Sequence, residues 1–187
     1  MFIPPDFDRA YTESFGFTLE EIYAFGLRSF ETKLGRVGID PGEIALFTRE
    51  DRSQTYEERA RRLWVLIESG VLGDDRRDPQ PSQEALEIVF DGMTNLVDLE
   101  VARSLGGPIE WRFSDAEPWH LVVTNGHAEA KQGGAGVAAL TFETTTSEWA
   151  KLAVERTSPI KSVATRKLKL HGSLHAKRKA PKLFKTA

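Results

Sequence analysis

Apolar residues recur at helical intervals through roughly the first 105 positions and at strand intervals beyond them. Thr18-Leu19-Glu20-Glu21 has the form of a capping box, with Thr18 accepting from an orphan backbone amide and Glu21 reaching back to the cap. Leu19, Ile22, Tyr23, Phe25 and Phe30 follow as one stripe, which predicts a helix ending near Gly35. Gly35 to Arg52 reads as a connection, with a short helical turn over Glu43 to Thr48. A second capping box, Thr55-Tyr56-Glu57-Glu58, precedes Ala60, Leu63, Trp64 and Ile67 and a stop at Gly70, giving two antiparallel helices. Gly73 to Ser82 is polar and rich in proline and is expected to be a linker. The domain boundary falls there, with a helical segment over 1–75 and a second domain over 82–187. A third helical region runs from Ser82 to Leu105 through Leu86, Val89, Phe90, Met93, Leu96, Val97 and Val101. Gly92 is its candidate break, and Gly106-Gly107-Pro108 ends it.

Beyond Pro108 the period becomes that of a strand. Ile109-Glu110-Trp111-Arg112-Phe113 alternates apolar and charged residues, as a half-buried strand does, so Glu110 and Arg112 are expected on the wet side. Trp119 to Thr124 repeats the pattern, and Asn125-Gly126 is a strong hairpin turn into a strand over His127 to Lys131. Gln132-Gly133-Gly134-Ala135-Gly136 leads to a fourth strand, Val137 to Thr144. Thr145-Thr146-Ser147-Glu148 opens a helix carrying Trp149, Leu152 and Ala153. A short helix from Pro159 to about Arg166 and a last strand, Lys167 to His171, complete an α+β pattern.

At 187 residues the chain has room for one ordinary domain and an appendage, or for two small domains. With 40% hydrophobic and 28% charged residues it is globular in composition. No apolar run approaches the roughly 20 residues of a membrane span, and Met1-Phe2-Ile3-Pro4-Pro5-Asp6 lacks the features of a signal peptide. There is no cysteine, so disulfides and thiolate chemistry are excluded. A cytoplasmic protein is expected. The net charge of −3 hides an asymmetry: from Arg156 to Ala187 there are ten Lys or Arg and no acid, leaving −13 on the rest. Such an end is suited to an anionic surface, nucleic acid or the chain's own acidic body.

Candidate chemistry is sparse. The glycine-rich stretch from Gln132 to Gly136 has no P-loop Lys-Ser/Thr pair and precedes a strand where a phosphate cradle opens a helix. A strand connection needing positive φ is the expected role. His171 and His175 are four apart, but Gly172-Ser173 intervenes and no third ligand lies near. His120, between Trp119 and Leu121, is expected at the surface. Asp74 and Asp75 fall in the linker. No catalytic residue, metal or cofactor is therefore expected. What stands out is an apolar face of Ile109, Trp111, Phe113, Trp119, Leu121, Leu140, Phe142, Trp149, Leu152, Leu168 and Leu170. These residues serve equally as core or as the lining of a cavity, and periodicity does not separate the two.

From about Ser82 onward the order of segments resembles the sterol carrier protein 2 family of lipid-binding and lipid-transfer domains. Ile109 to Phe113 resembles the first strand, and Trp119 to Gly126 the second strand and turn. Ala138-Ala139-Leu140-Thr141-Phe142 followed by Ser147-Glu148-Trp149-Ala150-Lys151-Leu152 is similar to the family's strand and capped helix. Lys167 to Leu174 resembles its closing strand and turn. Arg166 and Ser173 stand where the family usually has Gly and Asp, and the closing helix, apolar in the family, is basic here and interrupted by Pro181. The resemblance implies a five-stranded sheet covered on one face by helices around a hydrophobic tunnel for a fatty acyl chain, sterol or isoprenoid. It places Ile109, Trp111, Phe113, Leu121, Leu140, Phe142, Trp149, Leu152, Leu168 and Leu170 along the ligand.

The function expected on these grounds is non-catalytic binding, transfer or presentation of a lipidic small molecule. The alternative is an interaction module with the same fold but a filled cavity, acting as accessory subunit of a lipid-modifying enzyme. Lys177, Arg178, Lys179, Lys182 and Lys185, with Leu183 and Phe184 between them, are expected to face an anionic membrane. Residues 1–75 are free to pack on the second domain, to form a homodimer or to dock a partner enzyme. Nucleic acid is not expected as a partner, because the basic stretch has few aromatic residues to stack on bases.

Overall fold

In a computed structural model of the chain, residues 56–72, 78–153 and 157–184 are described. The predicted helix at 18–35, the turn at 43–48, the capping residue Thr55, the acidic pair Asp74-Asp75 and Lys185 lie outside them. Helix α1, Tyr56–Glu68, ends two residues before Gly70, whose φ of +70° turns the chain back so that Leu72 N–H donates to Leu66 O at 3.0 Å. Gln80 N–H then donates to Ser69 O at 2.9 Å, tying the approach to the next helix onto the end of α1. Helix α2, Gln83–Leu96, starts at Ser82, whose side chain accepts from Ala85 N–H, and buries Leu86, Ile88, Val89, Phe90 and Met93 on one face. Arg62 of α1 bridges Asp91 of α2 at 2.8 Å, and Leu66 and Val71 join the same apolar cluster as α2.

The helical region divides, but at Val97-Asp98 and not at Gly92, which is buried inside α2. The cause is a cap: Asp98 accepts from Glu100 N–H and Val101 N–H at 3.0 and 2.9 Å and starts helix α3, Leu99–Arg103. A side chain that serves two orphan amides outweighs the modest helix penalty of one glycine.

Strands β1 (Ile109–Phe113), β2 (Trp119–Thr124), β3 (His127–Gln132), β4 (Leu140–Thr144) and β5 (Lys169–Gly172) form one sheet in the order β3-β2-β1-β4-β5. β1 and β4 are parallel and the other neighbours antiparallel. The α+β class and the five-stranded sheet are those expected. Asn125 and Gly126 both have positive φ, as the two-residue turn between β2 and β3 requires. β4 starts later than the pattern suggests: Val137 is 88% exposed in the preceding loop, and pairing begins only after Ala139 N–H has bonded Pro108 O.

Asp115 in the β1–β2 turn accepts from the backbone and hydroxyl of Thr146, both at 2.9 Å, and so starts helix α4, Thr146–Ala153. Helix α5, Pro159–Ala164, is capped by Ser158. Arg166, at φ +60°, occupies the left-handed region that favours glycine. At Gly172, φ +139°, an added Cβ would stand 2.6 Å from Ala139 O, so only glycine fits. Ser173 then caps helix α6, Leu174–Lys179, by accepting from Ala176 N–H, a task that Ser and Asp perform equally well.

The C-terminal segment corrects one expectation. Leu183 does not face outward: it has no exposed surface, and its carbonyl accepts from Asp98 N–H at 2.7 Å. Phe184 is half-buried, pairs with Val97 and lies 6.2 Å from the Trp111 ring. Burying Leu183 fully and Phe184 in part against the core outweighs leaving them among lysines in water.

Candidate functional site

Ile109, Trp111 and Phe113 leave β1 on one side, and the ladder register carries that side across the sheet. Leu121 and Trp119 stand opposite Ile109 and Trp111 on β2, and Leu140 and Phe142 stand opposite them on β4. Leu170 of β5 continues the row beside Phe142. α2 presents Phe90 to this face and α4 presents Trp149. The Phe90 ring stacks on Trp119, with centres 4.8 Å apart and planes 5° apart, and on Trp149 at 4.5 Å and 16°. Trp111 and Phe113 meet the same ring edge-on at 5.4 and 6.2 Å. Trp111 in turn stacks on Phe142 at 5.2 Å.

Of the ten residues the resemblance placed along a ligand, the sheet and α4 bring eight into one connected apolar cluster: Ile109, Trp111, Phe113, Leu121, Leu140, Phe142, Trp149 and Leu170. The other two lie apart. Leu152 is half-buried on α4, and Leu168 is buried where its N–H donates to Ser162 O at the end of α5. Two residues central to the cluster were not among the ten, Phe90 and Trp119. The helical stripe of α2 already contained Phe90, and the alternation of β2 already put Trp119 on the apolar face. What no local pattern supplied was the contact between them, made across the space where a tunnel is expected.

One polar group is enclosed with these rings. Trp119 is 6% exposed, and its indole Nε1–H has no acceptor among the described residues. Leaving such a donor unpaired in the interior costs about 1–3 kcal/mol.

On the opposite side of β1, Arg112 is exposed as expected but Glu110 is not wet, which is a second correction. Glu110 is 2% exposed. The glycine-rich loop after β3 folds over it, and its carboxylate accepts from Ala135 N–H at 3.1 Å and Thr141 Oγ1–H at 3.2 Å while Arg112 pairs with it at 2.8 Å. The loop is thus a connection with positive φ at Gly133 and Gly136, as expected, and its amide holds a carboxylate of the same chain. His120 is half-buried on this side, with Nδ1–H donating to Gly133 O at 2.8 Å.

Clefts of about 400 and 240 Å³ open elsewhere, around Asp78, Glu148, Lys151 and Lys167. Glu148 is buried and accepts from Ser162 Oγ–H at 2.6 Å. Lys151 holds the Asp78 carboxyl below its ordinary range, and Lys169, with His171 adding to it, does the same for Glu143 on the rim of the larger cleft. These linings are ion-paired and polar, unlike the aromatic face. On α6, Lys177 and Arg178 are exposed, as is Lys182 beyond it, while Lys179 donates to Ser104 Oγ. Among the described residues no group of His, Asp or Glu is arranged to hold a metal ion, and no helix is long and apolar enough to cross a membrane.

Residues 94–185 match the SCP-2 sterol transfer family. Similar solved structures include the stereoselective inverting sec-alkylsulfatase Pisa1 from Pseudomonas sp., at 15% identity and TM-score 0.45, covering 100% of this chain and 33% of its own. Sterol Carrier Protein 2 from Yarrowia lipolytica, in its apo form, is 16% identical with TM-score 0.40, covering 52% of this chain and 86% of its own. The sterol carrier protein domain 2 of Helicoverpa armigera is 17% identical with TM-score 0.42, covering 52% and 80%. The chain spans 23% and 33% of the two sec-alkylsulfatase chains it resembles. No curated protein matches it by sequence.

Proposed function

With residues 94–185 belonging to the SCP-2 sterol transfer family, we propose that the chain binds an apolar, lipid-like molecule between the sheet and helices α2 and α4, and carries or presents it without altering it chemically. The supporting observation is the continuous face from Leu121 through Ile109 and Trp111 to Phe142 and Leu170, covered by Phe90 and Trp149. Fatty acyl, sterol and isoprenoid tails all suit such a lining. Phe90 occupies the middle of the space, so a ligand has to displace it. Emptying a packed phenylalanine position costs about 3–5 kcal/mol, whereas about ten buried methylenes recover on the order of 8 kcal/mol. A long tail therefore binds and a short one does not. The exposed cations Lys177, Arg178 and Lys182, beside Leu174 at 67% exposure, suit delivery at an anionic membrane. Binding to anionic vesicles then weakens as salt shortens the Debye length.

A second reading is favoured by the same ring. Phe90 is fully buried and stacked on two indoles, and it lies just before the segment matched by the family. A site closed in this way suits an interaction module that keeps the fold and has lost the ligand, serving as accessory subunit to a lipid-modifying enzyme. Solvent extraction of the purified chain followed by mass spectrometry, with titration by a fluorescent long-chain fatty acid, separates the two. Co-purified lipid or saturable probe binding supports the carrier. A chain that is lipid-free and does not bind the probe is an interaction module.

A further inference from the structure

We propose that the lipid-like ligand carries an oxygen acceptor, a hydroxyl, carbonyl or carboxylate, and that the indole Nε1–H of Trp119 is the donor that receives it. The inference rests on the carrier reading above and adds the ligand's polar group and its direction in the site.

A buried indole N–H ordinarily finds a partner. That of Trp119 is closed off from water and has none among the described residues. Its surroundings explain why. Trp119 lies on β2 between β1 and β3, in register with Trp111 on one side and Gln132 on the other, so the backbone carbonyls nearby are engaged in the two ladders. At the turn, Pro118 O is taken by Gly133 N–H at 2.7 Å. The ring stacked on the indole is the hydrocarbon face of Phe90, which offers no lone pair. An apolar molecule that replaces Phe90 lies over the face of the indole, whereas the N–H points out of the ring edge in the plane of the ring, so the oxygen that completes the hydrogen bond sits at the molecule's end, beyond that edge.

The register also sets the ligand's direction. Trp119 begins β2 beside the 114–118 turn, and the next residues on the same face are Leu121, Ile109 and Leu140, which are wholly aliphatic. The oxygen therefore lies toward the turn and the tail runs over the aliphatic row.

Decanol and decane, equal in chain length and differing in one hydroxyl, test this on the full chain. The ratio of their affinities is compared between the parent and Trp119→Phe, which cancels the hydrophobic contribution common to both. The hydroxyl's advantage is expected to fall about tenfold in the variant, the size of one hydrogen bond. An unchanged ratio overturns the assignment. A second readout needs only the parent: the Trp119 indole proton resonance moves downfield with decanol and not with decane. An indole proton already hydrogen-bonded in the lipid-free chain and unmoved by decanol gives the donor to another part of the chain and also overturns it. Binding of neither compound, together with no binding of long-chain fatty acid, removes the carrier reading itself. Binding of both with equal ratios removes only the role of Trp119.

Discussion

On one face of β1, Ile109, Trp111 and Phe113 meet a helix-borne ring stacked on two indoles; on the other, Glu110 meets a loop amide, a hydroxyl and a guanidinium. Water is excluded from Ile109 and Trp111 on the first face and from Glu110 on the second, by different means. The apolar face gains from area and contact, in which any ring of similar size serves nearly as well. The polar face depends on pairing, because a carboxylate is tolerated in the interior only while its acceptors are filled. The first kind of burial is adaptable, and the proposed function exchanges one of its side chains for a ligand. The second is fixed, and the strand's position is pinned by it.

The largest effect expected from this contrast is at Phe90. Phe90→Ala removes the ring that joins Trp119, Trp149, Trp111 and Phe113, and is expected to cost about 3–5 kcal/mol in urea unfolding. The same variant opens the place proposed for a ligand, so its affinity for long-chain fatty acid should rise while its stability falls. A loss below about 1 kcal/mol would mean that the ring is not packed as described, and the contrast between the faces would lose its apolar half.

Glu110 tests the other half. Glu110→Ala leaves Ala135 N–H and Thr141 Oγ1–H without their acceptor and is expected to cost about 1–3 kcal/mol. Glu110→Gln, which keeps one acceptor oxygen, should recover part of that. Amide exchange at Ala135 reads the loop directly and should accelerate in both variants, more in Ala. Unchanged exchange at Ala135 would show that the loop stays closed without the carboxylate. Ligand affinity should barely change in either variant, since Glu110 lies on the side of the sheet opposite the proposed site.

The two faces were not equally legible in the sequence. Alternation from Ile109 to Phe113 assigned each residue to its side, and the register placed Trp111, Trp119 and Phe142 together as that parity requires. Parity says nothing of what covers a side. Glu110 is dry because a loop more than twenty residues later in the chain folds over it, and a local pattern carries no trace of that. Phe90 shows the same limit on the apolar side: its place in a helical stripe marks it as inward, while its stacking on Trp149 depends on a helix that begins at Asp115's cap far along the chain. Helix boundaries were legible where a side chain does the capping, at Ser82 and Thr145-Glu148, and misplaced where glycine was weighed above Asp98. Leu183 was misjudged because its neighbours are lysines; composition averaged over the segment hides one side chain that turns inward.

The smallest effect is expected at a position that belongs to neither face and so serves as the reference for both. Arg166 is exposed and holds φ +60°, where a Cβ is crowded by its own backbone at a cost of about 1–2 kcal/mol relative to the ordinary helical region. Glycine carries no such cost there, but it loses more freedom on folding, roughly 0.5–1 kcal/mol. The first contribution exceeds the second by a small margin, so Arg166→Gly should stabilise by under about 1 kcal/mol, a rise of a few degrees at most in Tm for a chain of this size. No ion pair is lost with the side chain among the described residues. The turn it occupies leads through Lys167, whose amide bonds Ser162 O and whose carbonyl accepts from Thr144 Oγ1–H, into β5. Amide exchange in β5 should slow by the amount that global stability gains, with no change at Ala135 and none in the Trp119 indole resonance. A destabilised Arg166→Gly would mean that the guanidinium makes a contact worth more than the strain it relieves, and the polar cleft it borders, lined also by Lys167, Lys169 and Glu143, is where that contact would be sought.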